Sequence, residues 1–230
     1  MRGPFRILTA LFGIVIVAFV AFSLYVFFAG GSGEPTRAVA AERVEPAEPH
    51  SVVYSAVSGL SEARFVIDEV LRGRDMTVVG VTDQVDGSVA VGFEPPGVEI
   101  GPFEINLRAV ATDDEMRDRT IRSMILQTNR DEYEFALFQP TVVSGIPETI
   151  SPGTVMDLEV TGELTIRDVT REVVFSLTLH ITSEEEIRGE AQTVIAYRDF
   201  EIEIPYVGGN SIVESVADTV RLELEFVARP

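Results

Sequence analysis

Few residues of this chain are of types that do acid–base or metal chemistry, and their placement argues against it. There is no cysteine, and the only histidines are His50 and His180. That leaves no thiolate nucleophile, no disulfide, and too few nitrogen or sulfur ligands for an ordinary zinc site. His180 alternates with Leu179, so a solvated imidazole is expected rather than a general base. Carboxylates recur two residues apart at Asp157/Glu159, Glu201/Glu203 and Glu223/Glu225. Such pairs work as acid and base only when their surroundings drive the two pKa values apart. Here they sit opposite apolar neighbours and read as the wet face of strands. Glu184-Glu185-Glu186 reads as a hairpin tip, with weak calcium binding as its competing use. Gly208-Gly209-Asn210 lacks the helix and Lys-Ser/Thr that follow in a phosphate loop. All 18 basic residues are Arg, which removes lysine Schiff-base chemistry. Arg117, Asp118 and Arg122 read as a helix-to-barrel ion-pair network in preference to a headgroup clamp. No catalytic set, metal or cofactor emerges, and the chain is not expected to be an enzyme.

The elements around these residues are mostly strands. From Val155 to Ile181, apolar side chains fall on alternate positions: Met156, Leu158, Val160, then Val173, Phe175, Leu177 and Leu179. Period-two alternation marks two strands with one dry face, here an antiparallel pair turning at Arg167-Asp168. ARFVID, MTVVGVT, Ser88 to Phe93, FEINLRAV, EFALFQ, EAQTVIAY, DFEIEI and ADTVRLELEFVA give further strands. Asp86-Gly87 reads as a turn before the strand at Ser88, and Gly101-Pro102 as a break before FEINLRAV. Thr112-Asp113-Asp114-Glu115 reads as a capping box, with Thr112 as cap, opening one short helix. Met116, Thr120, Ile121, Met124 and Ile125 form its packing face. Many short strands with a wet outer face predict an all-β fold: an antiparallel barrel of about eight strands with one short helix.

The N-terminus is different in kind. Ile7 to Phe28 carries no charge and as a helix would be about 33 Å long, enough to cross a hydrocarbon core of about 30 Å. A cleaved signal peptide is the competing reading, but its apolar core usually runs only about 7–15 residues. The expectation is a single transmembrane anchor at 7–28. Arg2 and Arg6 keep residues 1–6 cytoplasmic, and everything later is extracytoplasmic on the cell membrane, single-pass. Residues 29–60, rich in Gly, Pro, Ala and Glu, are expected to be a flexible acidic linker. Residues 61–230 form the barrel domain. Beyond the anchor, 16 Arg face 37 acids, a formal charge of −21. Such a surface repels nucleic acid and anionic headgroups, so no nucleic-acid partner is expected.

The hairpin also carries a resemblance. Gly162-Glu163-Leu164-Thr165-Ile166-Arg167-Asp168-Val169-Thr170-Arg171-Glu172-Val173 is similar to a segment of the YceI-like family. Asp168 stands where the family has its second glycine. Ala63-Arg64-Phe65 resembles the opening Ala-x-Tyr, and Gly80-x-Thr82 with Val85-x-Gly87 resembles one branch of the family. Arg117 to Arg122 matches Arg-Asp-x-x-Ile-Arg. Tyr133 to Phe138 matches Tyr-Pro-x-Ala-x-Phe with Glu134 for proline, and Asp199-Phe200 resembles Asp-Phe-Gly. The resemblance covers nearly all of Ala63 to Ala228, and its segments match in order and spacing. The resemblance implies a lipocalin-like barrel that binds a polyisoprenoid or similar apolar lipid, an isoprenoid quinone included.

The expected lumen is lined by Phe65, Ile67, Val89, Val91, Phe93, Ile105, Phe138, Leu158, Val160, Phe175, Leu177, Leu222 and Leu224. A lumen of this kind would hold an isoprenoid or acyl chain through burial alone, at about 0.8 kcal/mol per CH₂. Apolar loops at 142–147 and 205–207 are candidates for its mouth. The alternative is a filled core and a non-catalytic envelope interaction domain, working as a homodimer or with another envelope protein.

Overall fold

The computed structural model describes residues 33–230 other than 206 and 210, together with 16–18, 20–22 and 24. The anchor expected at 7–28 and the cytoplasmic 1–6 therefore lie largely outside the described residues. Among the described residues, no helix is long and apolar enough to cross a membrane.

Alternation becomes strand wherever one side chain in two can be buried. It produces β2 (Glu62–Leu71), β3 (Arg74–Thr82), β4 (Val85–Phe93), β5 (Pro96–Asn106) and β6 (Phe135–Ser144). It continues through β7 (Val155–Ile166), β8 (Val169–Ser183), β9 (Glu186–Ala196) and β11 (Thr219–Arg229). Two short strands carry too few residues to show a period: β1 (Val52–Ala56) and β10 (Val213–Val216). Every pairing between these strands is antiparallel. Eight of them close a ring, β1-β4-β5-β6-β7-β8-β9-β11, sealed where Ala56 of β1 meets Ala228 of β11. The other three make a flap: β2 pairs the first half of β11 and carries β3 and β10. The expected barrel of about eight strands is present, and its helix α1 (Glu115–Thr120) bridges β5 and β6.

Several local expectations are corrected. Asp86-Gly87 is not a turn; both residues lie inside β4, and the corner falls at Asp83-Gln84, where Val85 N–H donates to Asp83 O at 3.1 Å. Gly101-Pro102 does not break the chain. β5 runs through it, and the irregularity is absorbed as a register shift opposite Gly87–Val89. DFEIEI is not a strand: Tyr197–Phe200 form a 3₁₀ turn that ends at Glu201, whose φ is 54°. Phe200 is inserted into the core instead. Asp114, not Thr112, caps α1, accepting from Arg117 N–H at 2.8 Å. Thr112 gives its N–H and hydroxyl to buried Asp118, at 2.8 and 2.6 Å. Ile121 packs as expected, but Met116 points outward, 54% exposed. In the β7–β8 turn, which falls at Arg167-Asp168 as expected, the left-handed residue is Arg167, φ 59°.

The linker expected at 29–60 is corrected most. It gives way to β1 at Val52, and residues 36–47 lie against the barrel. This strap crosses β4 and β5 on their outer side, taking acids as acceptors. Ala40 N–H donates to Glu104 at 2.7 Å, Ala41 N–H to Asp86 at 2.9 Å and Val44 N–H to Ser88 Oγ at 2.8 Å. Arg37 and Arg43 pair with the same two acids, at 2.7 and 2.9 Å. Consequently β4 is buried on both faces, unlike any other strand.

Candidate functional site: an apolar cavity in the barrel

The barrel interior divides into a filled half and an open half. In the filled half, Tyr54, Leu179, Ile181 and Ile187 are fully buried, and the Tyr54 hydroxyl reaches the carbonyl of Glu184 in the β8–β9 turn at 3.0 Å. Burial holds the Tyr54 phenol above its ordinary pKa, so it stays a neutral donor. The other half holds a partly open cavity of about 130 Å³.

Of the thirteen residues expected to face the lumen, eight line this cavity. Phe65, Ile105, Phe138 and Val160 come from β2, β5, β6 and β7; Phe175, Leu177, Leu222 and Leu224 come from β8 and β11. The other five do not line it. Val89, Val91 and Leu158 are packed in the core, where Val89 and Val91 lie opposite Tyr54 and Val52 of β1. Ile67 and Phe93 pack partly buried against that core. Among the described residues, none of those in the loops at 142–147 and 205–207 lines the wall.

Sequence reasoning missed three kinds of wall residue. Leu164, Ile166 and Phe226 continue alternations already recognised, and extending the period would have found them. Ile100 was hidden by reading Gly101-Pro102 as a break, whereas Phe103 shares the alternation of Ile105 in FEINLRAV. Ala63, Gly80, Ala136 and Ala191 have no hydrophobic bulk to notice, yet their smallness leaves the space. Three polar residues, Arg64, Thr82 and Glu223, adjoin this otherwise apolar wall, and each is engaged elsewhere: Arg64 with Glu62 and Glu225, Glu223 with Arg221, and the Thr82 hydroxyl with Gln84 N–H at 3.2 Å.

Leu107 and Val110 cap one end of the cavity from the loop after β5. Their position is set by a buried polar cluster. Glu134, fully buried, accepts from Asn106 Nδ2 at 2.7 Å and ion-pairs Arg108 at 3.1 Å, while its carbonyl takes Leu107 N–H at 2.8 Å. Arg108 also donates to Thr128 O and Asp131, at 2.5 and 2.8 Å. The same carboxylate receives the N–H and hydroxyl of Thr36 in the strap. The position that departs from the family's proline is thus the joint between strap and cap.

The groups considered for chemistry are scattered. Asp157 and Glu159 are exposed, Glu201 and Glu203 sit in a loop, and Glu223 and Glu225 are engaged by Arg221 and Arg64. Arg117 ties α1 to Glu69 of β2 at 3.6 Å, which is the structural role expected for that helix. Burial holds the Arg122 guanidinium below its ordinary pKa. Among the described residues, no cluster of His, Asp or Glu is arranged to hold a metal ion.

A closed antiparallel ring of eight strands around an apolar cavity, with a side flap and one short helix, defines an all-β barrel. The family model for the YceI-like domain matches residues 54–228, and the chain belongs to that family. The fold is shared with solved structures of low identity. A polyisoprenoid binding domain from Saccharophagus degradans superposes with a TM-score of 0.58 at 15% identity, covering 76% of this chain and 97% of that one. BcnA of Burkholderia cenocepacia gives 0.58 at 16% identity, covering 75% and 98%. The YceI protein of Campylobacter jejuni gives 0.51 at 15% identity, covering 66% and 84%. No curated protein matches the chain.

Proposed function

We propose that the barrel is a non-enzymatic binding protein that holds a polyisoprenoid or similar apolar lipid chain, an isoprenoid quinone among them. The observation that carries this reading is the dry cavity walled by Phe65, Phe138, Phe175, Leu177 and Leu222. An apolar cavity of about 150 Å³ takes a guest the size of benzene. By that measure this one holds on the order of one isoprene unit, and a longer chain enters as wall side chains turn. Membership of the family and the fold shared with a polyisoprenoid binding domain support the same ligand class.

Residues 7–28 are proposed as an anchor in the cell membrane, with the N-terminus cytoplasmic and the barrel extracytoplasmic. Ile16, Val17, Val20, Phe22 and Leu24 are exposed apolar residues, consistent with a lipid-facing helix. With Thr36 fixed to Glu134, only seven residues separate Phe28 from Thr36, a reach of roughly 28 Å over the eight steps. The cavity would then lie close to its source of lipid.

Native mass spectrometry of the purified protein tests the reading. A copurifying isoprenoid mass, or uptake of added isoprenoid quinone, is expected; a clean apo mass that added quinone does not change would overturn it. One observation favours a second reading, an interaction domain with a filled core. Val142, Val174 and Val194 stand 56, 49 and 62% exposed on the outer face of β6, β8 and β9. If that face binds an envelope partner or a second copy and the core admits no lipid, changing the three valines to threonine abolishes association, and neither wild type nor variant takes up added quinone.

A further inference from the structure

Four cavity-wall phenylalanines share one arrangement. Phe65 lies across Gly80, Phe103 across Gly87, Phe138 across Gly162 and Phe226 across Gly189. A Cβ built on these glycines would stand 2.0, 2.4, 2.7 and 2.2 Å from the respective ring. Each ring therefore occupies volume that a side chain on the facing strand would otherwise fill. Three of the pairs are direct cross-strand neighbours: Phe65 with Gly80, Gly87 with Phe103, and Gly189 with Phe226. The rings fold back along the wall and leave the middle of the barrel empty.

We infer that these pairs, Phe65–Gly80 above all, keep the cavity open and set the width of chain it accepts. The inference rests on the lipid-binding reading and adds the residues that would determine selectivity. A methyl on Gly80 cannot share space with the Phe65 ring, whose Cε1, Cζ and Cδ1 all lie within 2.8 Å of that point. The ring must turn to another staggered position, and the open space beside it is the cavity that both residues line. A phenyl ring is the size of guest that fills a cavity of about 150 Å³. One turned ring therefore consumes most of the 130 Å³ available here. Gly80 lies in the buried second half of β3, beside Val81, which exchanges backbone hydrogen bonds with Ala111 at 2.8 and 2.9 Å, so the backbone is held and the Phe65 ring is the part that must turn.

The test uses the full-length chain in lipid vesicles and two photoactivatable probes of equal carbon number. One is a methyl-branched isoprenoid and the other an unbranched acyl chain; labelled barrel peptides are counted. Wild type labels with both. Gly80→Ala is expected to lose labelling by the branched probe about tenfold and by the linear probe much less. Gly80→Ala combined with Phe65→Ala restores it, because the displaced ring is gone. Phe65→Ala alone, which keeps the glycine and so the backbone fit, raises the branched-to-linear ratio above wild type. A folded Gly80→Ala protein that labels like wild type with both probes overturns the inference. An unchanged ratio in Phe65→Ala does so too, even where Gly80→Ala fails to fold. Absence of labelling of wild type by either probe brings down the lipid reading itself, and this inference with it.

Discussion

Thr36 donates both its backbone N–H and its hydroxyl to the carboxylate of Glu134, at 2.8 and 2.5 Å, across 98 residues of sequence. The bond joins the segment that leads to the N-terminus with the cluster that holds Leu107 and Val110 over the cavity. The barrel is thus fastened to its own approach chain beside the cap of its cavity.

Removing that carboxylate leaves Arg108 and Asn106 buried without their shared acceptor. Glu134→Ala is expected to cost about 3–5 kcal/mol in urea denaturation, the range for a broken buried pair. Glu134→Gln keeps the shape and one acceptor oxygen and costs less. A loss under 1 kcal/mol for the alanine variant would show that the cluster does not hold the cap.

The strap is pH-sensitive through Glu104. The hydrogen bond from Arg37 is the main cause that holds its carboxyl below the ordinary value of 4.5, followed in the same direction by Ala40 N–H. A depressed folded-state pKa contributes stability that is complete above the unfolded value and is lost as pH falls through the folded one. Protection of the Ala40 amide, taken relative to its intrinsic exchange rate, should therefore be full above about pH 4.5 and fall below it. Glu104→Gln should remove that pH dependence, and an unchanged profile would contradict the role given to Arg37.

Gly101 is where the strap presses closest. A Cβ there would lie 3.1 Å from both the N and Cβ of Val44 and 2.8 Å from Ser88 Oγ. Gly101→Ala is expected to lift the strap, with faster exchange at Val44 and proteolytic nicking between 36 and 47. The barrel itself should keep its circular dichroism. Equal protease resistance in the variant would mean that strap and barrel are not in contact.

Arg167 holds φ at 59° in the β7–β8 turn, a conformation that costs an L-residue roughly 1–2 kcal/mol. Its side chain returns a 3.3 Å bond to Glu201 O and leaves Nε buried without a partner. Arg167→Gly is expected to stabilise the protein by about 0.5–1 kcal/mol once glycine's added unfolded-state freedom is counted. Destabilisation in chemical denaturation would show that the contacts of Arg167 outweigh its backbone strain.

What could be read in the sequence follows from how local each cause is. β7, β8 and β11 bury every second side chain, so Leu158, Leu177 and Leu222 announced their strands. β4 hid its end at Asp86-Gly87 because its outer face is covered by residues 36–47, a segment with no apolar period whose contacts are all long-range. Glu134 looked like a departure from a family pattern, and only its four donors reveal what it does. The cavity was half visible: phenylalanines and leucines mark a wall, whereas Gly80, Ala136 and Ala191 act by lacking side chains and leave no trace in hydrophobic periodicity.

The lipid-binding reading places an apolar chain in this cavity and on no other surface. Titration of methyl-labelled protein with an isoprenoid quinone is the sharpest check. Intermolecular contacts are expected from the ligand to the methyl groups of Ile105, Leu177, Leu222 and Leu224. Contacts confined to the outer valines Val142, Val174 and Val194, or no contacts at saturating quinone, would contradict it.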